Sequence, residues 1–304
     1  MSFSDRIPPR LAALLPILAL VAATGFWGSS FLTVSTALSS TDPYSLVFMR
    51  FAMGACVVLI MLRGRIGQIP AVTWKAGAVC ALAIYGAYLL NHIGLETILS
   101  STSGFLTALY VPLTPFLFWA VTRRSPDVAA FIGALVAFAG LVLIADPFSM
   151  TFENNLGEWL TILSAFLSAL EIILMGRFAP ACKALELTFA QLFFVALYAG
   201  LGTLVAHASG MELTQTIFTK DLLWCLLWLA VILSASQMLL AWGQKFVAAS
   251  TAAVIFALES VFAAVIGWIA GERLGALGLT GGALIVMGVL VTEIPSLRKN
   301  LRKK

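Results

Sequence analysis

Long apolar runs dominate this chain, so the polar side chains that fall inside them carry most of the chemical information. Arg50 lies about seven residues into one run, roughly 10 Å along a helix that rises 1.5 Å per residue. A charge at that depth is costly and needs a carboxylate, a carbonyl or an anionic ligand as its partner. Arg50 could thus serve a substrate or a gate, or bond loop carbonyls. Glu171 and Glu259 sit within two other runs, where each could load and release a coupling proton or simply fasten neighbouring helices. A salt bridge from Arg50 to either glutamate is open. Tyr85, Tyr88 and His92 recur at i, i+3 and i+7, on one side of a helix, with Asn91 beside them. Trp27, Tyr110, Gln237 and Trp242 could join them from other runs. Rings would take an apolar side chain, and amides and hydroxyls the polar ends of a zwitterion. Trp and Tyr also gather at headgroup level whatever a protein binds, a reading that covers Trp74, Trp159, Trp224 and much of Trp242. His92, near a helix end, suits a hydrogen-bonded cap or a proton carrier. Ser30 and Ser103, with Ser29 and Ser101, either pack between helices or offer hydroxyls to a cavity.

Other chemistries lack their residues. The chain has two histidines, His92 and His207, with no HExxH and no acidic pair at metal-ligand spacing, so neither a catalytic centre nor a metal site is expected. Cys56, Cys80, Cys182 and Cys225 form no CxxC pair and read as small buried side chains. No GxxxxGK[ST] run is present, so nucleotide-driven work would need another chain, and no cofactor is expected. The net charge of +4 does not point to nucleic acid, because the placement of the charges matters more than their sum.

The elements that must position these residues follow from composition. The sequence is 61% apolar and 11% charged, with a mean hydropathy of +1.01. A water-soluble protein of this length could not bury that much apolar surface, so the fold class is an all-α polytopic membrane protein. Breaks in the apolar pattern predict ten spans: 11–36, 44–62, 72–92, 97–121, 128–145, 157–177, 185–207, 221–242, 248–270 and 275–293. The first run continues past any cleavage site and is read as a retained span. Alternating the loops places fifteen of the 18 Lys and Arg residues on one side, including Arg63, Arg65, Arg123, Arg124, Lys183, Lys245 and the C-terminal cluster. That side should be cytoplasmic, with both termini inside and the chain in the plasma (inner) membrane. The basic C-terminus would meet anionic headgroups.

The order of features repeats once. Leu89 to Ala145 and Leu239 to Val291 each read as a polar helix end, a hydroxyl-rich link, a long apolar run and a final helix with two glycines seven apart, at an offset of about 145 residues. One five-helix unit spanning 1–146 and a second spanning 147–304 follow. An odd number of spans per unit delivers the second copy upside down, giving inverted repeats with a ligand near the midplane between them. Gly133 with Gly140, and Gly281 with Gly288, should let the fifth and tenth spans approach closely as scaffold. Pro112 and Pro115 should kink the fourth span, whereas the ninth carries Ser260 opposite Pro115 and should be bent weakly at most.

Several short stretches resemble the drug/metabolite transporter superfamily, in particular its EamA-type ten-helix members. They are Trp27-Gly28-Ser29-Ser30-Phe31, Pro43 with Arg50-Phe51, Thr102-Ser103-Gly104-Phe105 leading to Pro115, Ala257-Leu258-Glu259-Ser260-Val261-Phe262, and Gly271-Glu272. The resemblance implies export of small organic metabolites such as amino acids from a central cavity that includes Glu259. It departs in one place, since the family usually has proline after this glutamate. An uncoupled channel would be expected to show a filter-like loop or charged ring, and an intramembrane enzyme a nucleophile with its base; neither pattern is visible.

Overall fold

A computed structural model describes residues 9–98, 100–145, 155–211, 213–269 and 275–302. The described chain is helical: α1 (Pro9–Gly28), α2 (Phe31–Leu38), α3 (Pro43–Leu62), α4 (Ala71–Gly94), α5 (Ser100–Thr107), α6 (Tyr110–Thr122), α7 (Val128–Ala145), α8 (Leu156–Phe178), α9 (Ala184–Ala208), α10 (Lys220–Gly243), α11 (Ala249–Phe256), α12 (Leu258–Ile269) and α13 (Ala276–Arg302). Among the described residues nine segments are long and apolar enough to cross a membrane, and Leu14–Gly28 adds a shorter apolar helix. The ten spans expected from the sequence are thus α1–α2, α3, α4, α5–α6, α7, α8, α9, α10, α11–α12 and α13. Their outer surface is apolar: Ile60 is 76% exposed and Trp224 70%, as suits side chains that meet lipid.

Polar residues in the links start several helices. The Asp42 carboxylate accepts from the Ser45 amide at 2.9 Å with Pro43 at the first helical position, starting α3. Asn155 caps α8 through the Glu158 amide, and Thr219 caps α10 through the Leu222 amide, both at 3.1 Å. Each bond fills an amide that the helix itself cannot satisfy. The opposite membrane face carries the left-handed C-caps Arg63 (φ 48°) and Arg123 (φ 56°), which turn the chain sharply after α3 and α6.

The inversion of the two repeats is visible in one helix pair. A Cβ added to Gly140 would sit 2.5 Å from the Gly281 carbonyl oxygen, and one added to Gly281 would sit 2.5 Å from that of Gly140. Gly133 and Gly288 stand in the same reciprocal relation at 2.6 Å. Gly133 answers Gly281 and Gly140 answers Gly288 in the two repeats, so a two-fold axis exchanges one glycine contact with the other. Residue numbers rise along α7 as they fall along α13, so the helices are antiparallel and the axis lies across them. This is the relation that two copies inserted in opposite orientations require. The same axis relates α3 to α9, which pack together, and the contact of α4 with α8 to that of α10 with α1.

Helix lengths fix the register between copies. The partners α4 and α10 begin at Ala71 and Lys220 with 24 residues each, and α5 and α11 begin at Ser100 and Ala249 with eight each. Tyr88 therefore answers Gln237, and Tyr110 answers Glu259. Between α3 and α9 the same matching sets Arg50 against Gln191. The pairing of Pro115 with Ser260 does not hold, because links of unequal length shift the offset along the chain.

The expectation that proline alone bends one of these two long runs is also corrected. The α5–α6 span breaks at Ala108–Leu109, where Pro112 has no N–H to offer the Ala108 carbonyl and the Val111 amide bonds it at 3.0 Å instead. The α11–α12 span breaks at Ala257 without proline. There the Ala257 amide reaches the Val254 carbonyl at 3.2 Å and the Ser260 amide the Ala257 carbonyl at 3.3 Å, both tighter three-residue turns. A further break divides α1 from α2, where the Ser29 and Ser30 hydroxyls donate back to the Phe26 and Trp27 carbonyls at 2.7 and 2.8 Å. Cysteine placement is corrected as well: Cys80 and Cys182 are buried, but Cys56 is exposed and Cys225 half-buried.

Candidate functional site

A cavity of about 590 Å³ lies between the two repeats. The halves of the broken spans meet at it. Gly28, which ends α1, brings the backbone against α12: a Cβ there would lie 2.8 Å from the Glu259 carbonyl oxygen. A side chain at position 28 would push Glu259 away, so this glycine sets where the glutamate stands. One wall is α4 with its C-cap Leu95, where Ile84, Ala87, Tyr88, Asn91 and His92 also line the space. No described residue of α7 or α13 lines the cavity, consistent with a scaffold role for the paired glycines.

Arg50 is 2% exposed and lines this space. Its guanidinium carbon lies 4.9 Å from the centre of the Tyr88 ring and 5.8 Å from that of Phe51. Tyr88 is held edge-on against Phe51 at 5.2 Å and against His92 at 5.9 Å. Contact with ring faces stabilises a cation by about 0.5–2 kcal/mol but satisfies none of its in-plane N–H groups. Among the described residues Arg50 forms no ion pair, and its Nε has no acceptor. The salt bridge to a glutamate is therefore not formed: the Gln191 side chain donates to Glu171 at 2.8 Å, and no ion pair among the described residues involves Glu259.

More unmatched polar atoms converge on the cavity. Gln237 is fully buried with neither amide atom bonded, and Trp27 Nε1 and His92 Nδ1 also lack partners. His92 is thus not bonded through Nδ1 as a helix cap would be. Buried polar atoms are nearly always paired, so four such side chains in one cavity mark a place for a polar guest. Trp27 stands edge-on to Phe256 at 5.2 Å, which fixes its ring. Asn91 is different, since its amide donates to Ser103 at 3.1 Å and Thr107 at 2.9 Å and fastens α4 to α5.

The two ends of the cavity differ. At one end it reaches Ser39, Glu96 and Thr214, exposed residues in the links after α2, α4 and α9. Burial, with the Asp42 carboxylate adding to it, holds the Glu96 carboxyl above the usual carboxylate range. No exposed residue lines the other end. There Gln244 donates to the Ile172 carbonyl at 3.0 Å, and Gly243 packs against Leu20 and the Pro16 carbonyl. This end lies toward the loops that carry Arg63, Arg123, Lys183 and Lys245.

Of the residues singled out from the sequence, Trp27, Ser30, Arg50, Tyr88, Asn91, His92, Ser103, Tyr110, Glu171, Gln237 and Glu259 are brought together here. Two are not. Tyr85 lies against Tyr198 at 6.4 Å, outside the cavity, because the lining face of α4 follows 84, 87, 88, 91, 92 and 95 and leaves position 85 a step of about 100° round. Trp242 packs on Phe246 at 5.7 Å, away from Gln237 on the same helix. Ser29 is half-buried and its hydroxyl donates to the Phe26 carbonyl, and the Ser101 side chain, like Gly271 and Glu272, lies outside the described residues. Sequence reasoning missed Ser164, Ser168, Thr107 and Glu96. The first two precede Glu171 at i−7 and i−3, a helical spacing that could have found them.

Comparison with known proteins fits this architecture. Residues 14–145 and 155–294 each match the EamA-like transporter family. Two proteins of Archaeoglobus fulgidus, each named an uncharacterized transporter, are similar to the chain. One is 28% identical over 91% of this chain and 84% of its own length, the other 22% identical over 88% and 93%. A solved structure titled only as the crystal structure of a protein superposes with a TM-score of 0.74 at 16% identity, covering 92% of this chain and 97% of that one.

Proposed function

The chain belongs to the EamA-like transporter family, and on that premise we propose a secondary active exporter of small organic metabolites, neutral and aromatic amino acids foremost, working by alternating access. The observation that carries this reading is the cavity between inverted repeats, reached by exposed residues at one end only and lined by unmatched polar atoms. A site on the axis can be presented to either side by exchanging the conformations of the two repeats. The repeats so exchanged are 1–146 and 147–304. With the basic loops in the cytoplasm of an inner membrane, the open end faces outward. The C-terminal cations then rest against anionic headgroups. Glu171 and Glu259 are the coupling carboxylates, since each faces the cavity and a proton taken on one side can be released on the other. Substrate binding falls to Trp27, Arg50, Tyr88, Tyr110 and Gln237.

The test is solute counterflow in proteoliposomes loaded with a panel of amino acids, purines and sugars. Saturable exchange with at least one amino acid is the expected result. Flux that is linear in concentration, with no exchange, would make the protein a channel instead.

A further inference from the structure

Arg50 poses a question that the exporter reading leaves open: what neutralises it when the cavity closes over its guest? The Arg50 guanidinium carbon lies over the Tyr88 and Phe51 rings, which offer its N–H donors no lone pair in return. Among the described residues its Nε has no acceptor and it forms no ion pair. Glu171 is engaged by Gln191, and Gln191 occupies the position that answers Arg50 in the other repeat, so the second half brings no matching cation. The ionisable lining is therefore Arg50 and His92 against Glu96, Glu171 and Glu259.

Resting on the exporter reading and deepening it, we propose that the guest is a monocarboxylate whose carboxylate seats on the in-plane edge of Arg50 above Tyr88. A carboxylate matches the planar fork of a guanidinium, and one negative charge balances one cation. A dicarboxylate or a phosphate ester brings a second charge to a site with a single arginine and three carboxyl groups. Apolar walls from Val34, Leu38, Ile84, Ala87, Ile172 and Phe256 suit an organic body behind the carboxylate. The site thus reads the acid end of its substrate first. An amino acid enters as one kind of monocarboxylate among several.

Isothermal titration of the full chain in lipid nanodiscs tests this with five probes: phenylalanine, 3-phenylpropionate, phenylalaninamide, chloride and inorganic phosphate. Both carboxylates should bind, with the amide weaker by on the order of tenfold or more, and neither chloride nor phosphate should displace them. Arg50→Lys, which keeps the charge but loses the fork, should weaken carboxylate binding about tenfold, and Arg50→Gln about a hundredfold. Replacing a buried cation can unfold a bundle, so the acid and its amide on the unaltered chain decide the matter without any variant. Equal binding of acid and amide, displacement by chloride, or binding by neither carboxylate overturns the proposal. Counterflow separates it from the exporter reading. Binding without exchange removes the transport function and keeps the carboxylate seat, whereas exchange indifferent to the carboxylate does the reverse.

Discussion

Arg50 and Gln191 hold equivalent positions in α3 and α9, yet their surroundings differ. The Gln191 amide N–H is answered from inside the protein by Glu171, while among the described residues Arg50 Nε has ring faces nearby and no acceptor. Tyr88 against Gln237 and Tyr110 against Glu259 are likewise pairs of unlike residues at matched positions. Where the repeats face each other as scaffold they remain alike, with Gly133 and Gly140 mirrored by Gly281 and Gly288. Where they face the cavity they differ at three matched positions. On the exporter reading proposed above, two-fold symmetry would serve the movement and departure from it recognition: a symmetric cavity would present two arginines or none.

The contrast can be broken most severely at its charged member. Arg50→Gln gives both repeats a neutral amide and should reduce exchange in proteoliposomes by about two orders of magnitude, the effect of removing one partner of a buried charged hydrogen-bond pair. Retained wild-type exchange would show that the asymmetry at this position is incidental. The symmetric part can be broken next. Gly140→Val would drive a side chain into the Gly281 carbonyl, and overpacking of this kind costs about 1–3 kcal/mol. A lowered melting temperature in detergent should appear together with a similar loss for Gly281→Val, because the contact is reciprocal; unequal losses would weaken the two-fold description. Gln191→Leu sharpens the comparison by leaving Glu171 without its donor, at a cost of about 1–3 kcal/mol that thermal unfolding should record. The smallest effect is expected at the mouth. The Glu96 carboxyl titrates above the usual carboxylate range, so raising pH through its titration adds negative charge there. The apparent KM for a carboxylate substrate should rise with pH, and Glu96→Gln should flatten that rise while changing KM less than about threefold at low pH.

The frame of the molecule was legible because membrane spans announce themselves. Apolar runs and charged breaks anticipated the nine spans and the one shorter apolar helix seen among the described residues, and the odd number per unit implied the inversion that the glycine contacts display. Arg50, Glu171 and Glu259 stand out in the sequence because a charged side chain within an apolar run is too costly to sit there without a partner or a task. What escaped depended on tertiary contact. The break at Ala257 has no proline to mark it, and the cavity face of α4 passes one position to the side of Tyr85, a rotation no single helix reveals. Trp242 shares α10 with Gln237 but lies on another face, and aromatic identity alone did not separate pocket from periphery. Ser164 and Ser168 were hidden by chemistry so common in membrane helices that only their spacing to Glu171 distinguishes them.

The reciprocal glycine contact between α7 and α13 has a mechanical consequence. If the repeats trade conformations, every interface between unlike helices has to be taken apart and rebuilt in the pattern of its twin. The two glycine contacts astride the axis are each other's twins, so Gly140 on Gly281 becomes Gly288 on Gly133, a contact already made, and nothing has to be unmade. The crossing can act as a fulcrum that does no work during the stroke. Its packing can therefore be as tight as glycine allows without slowing the machine.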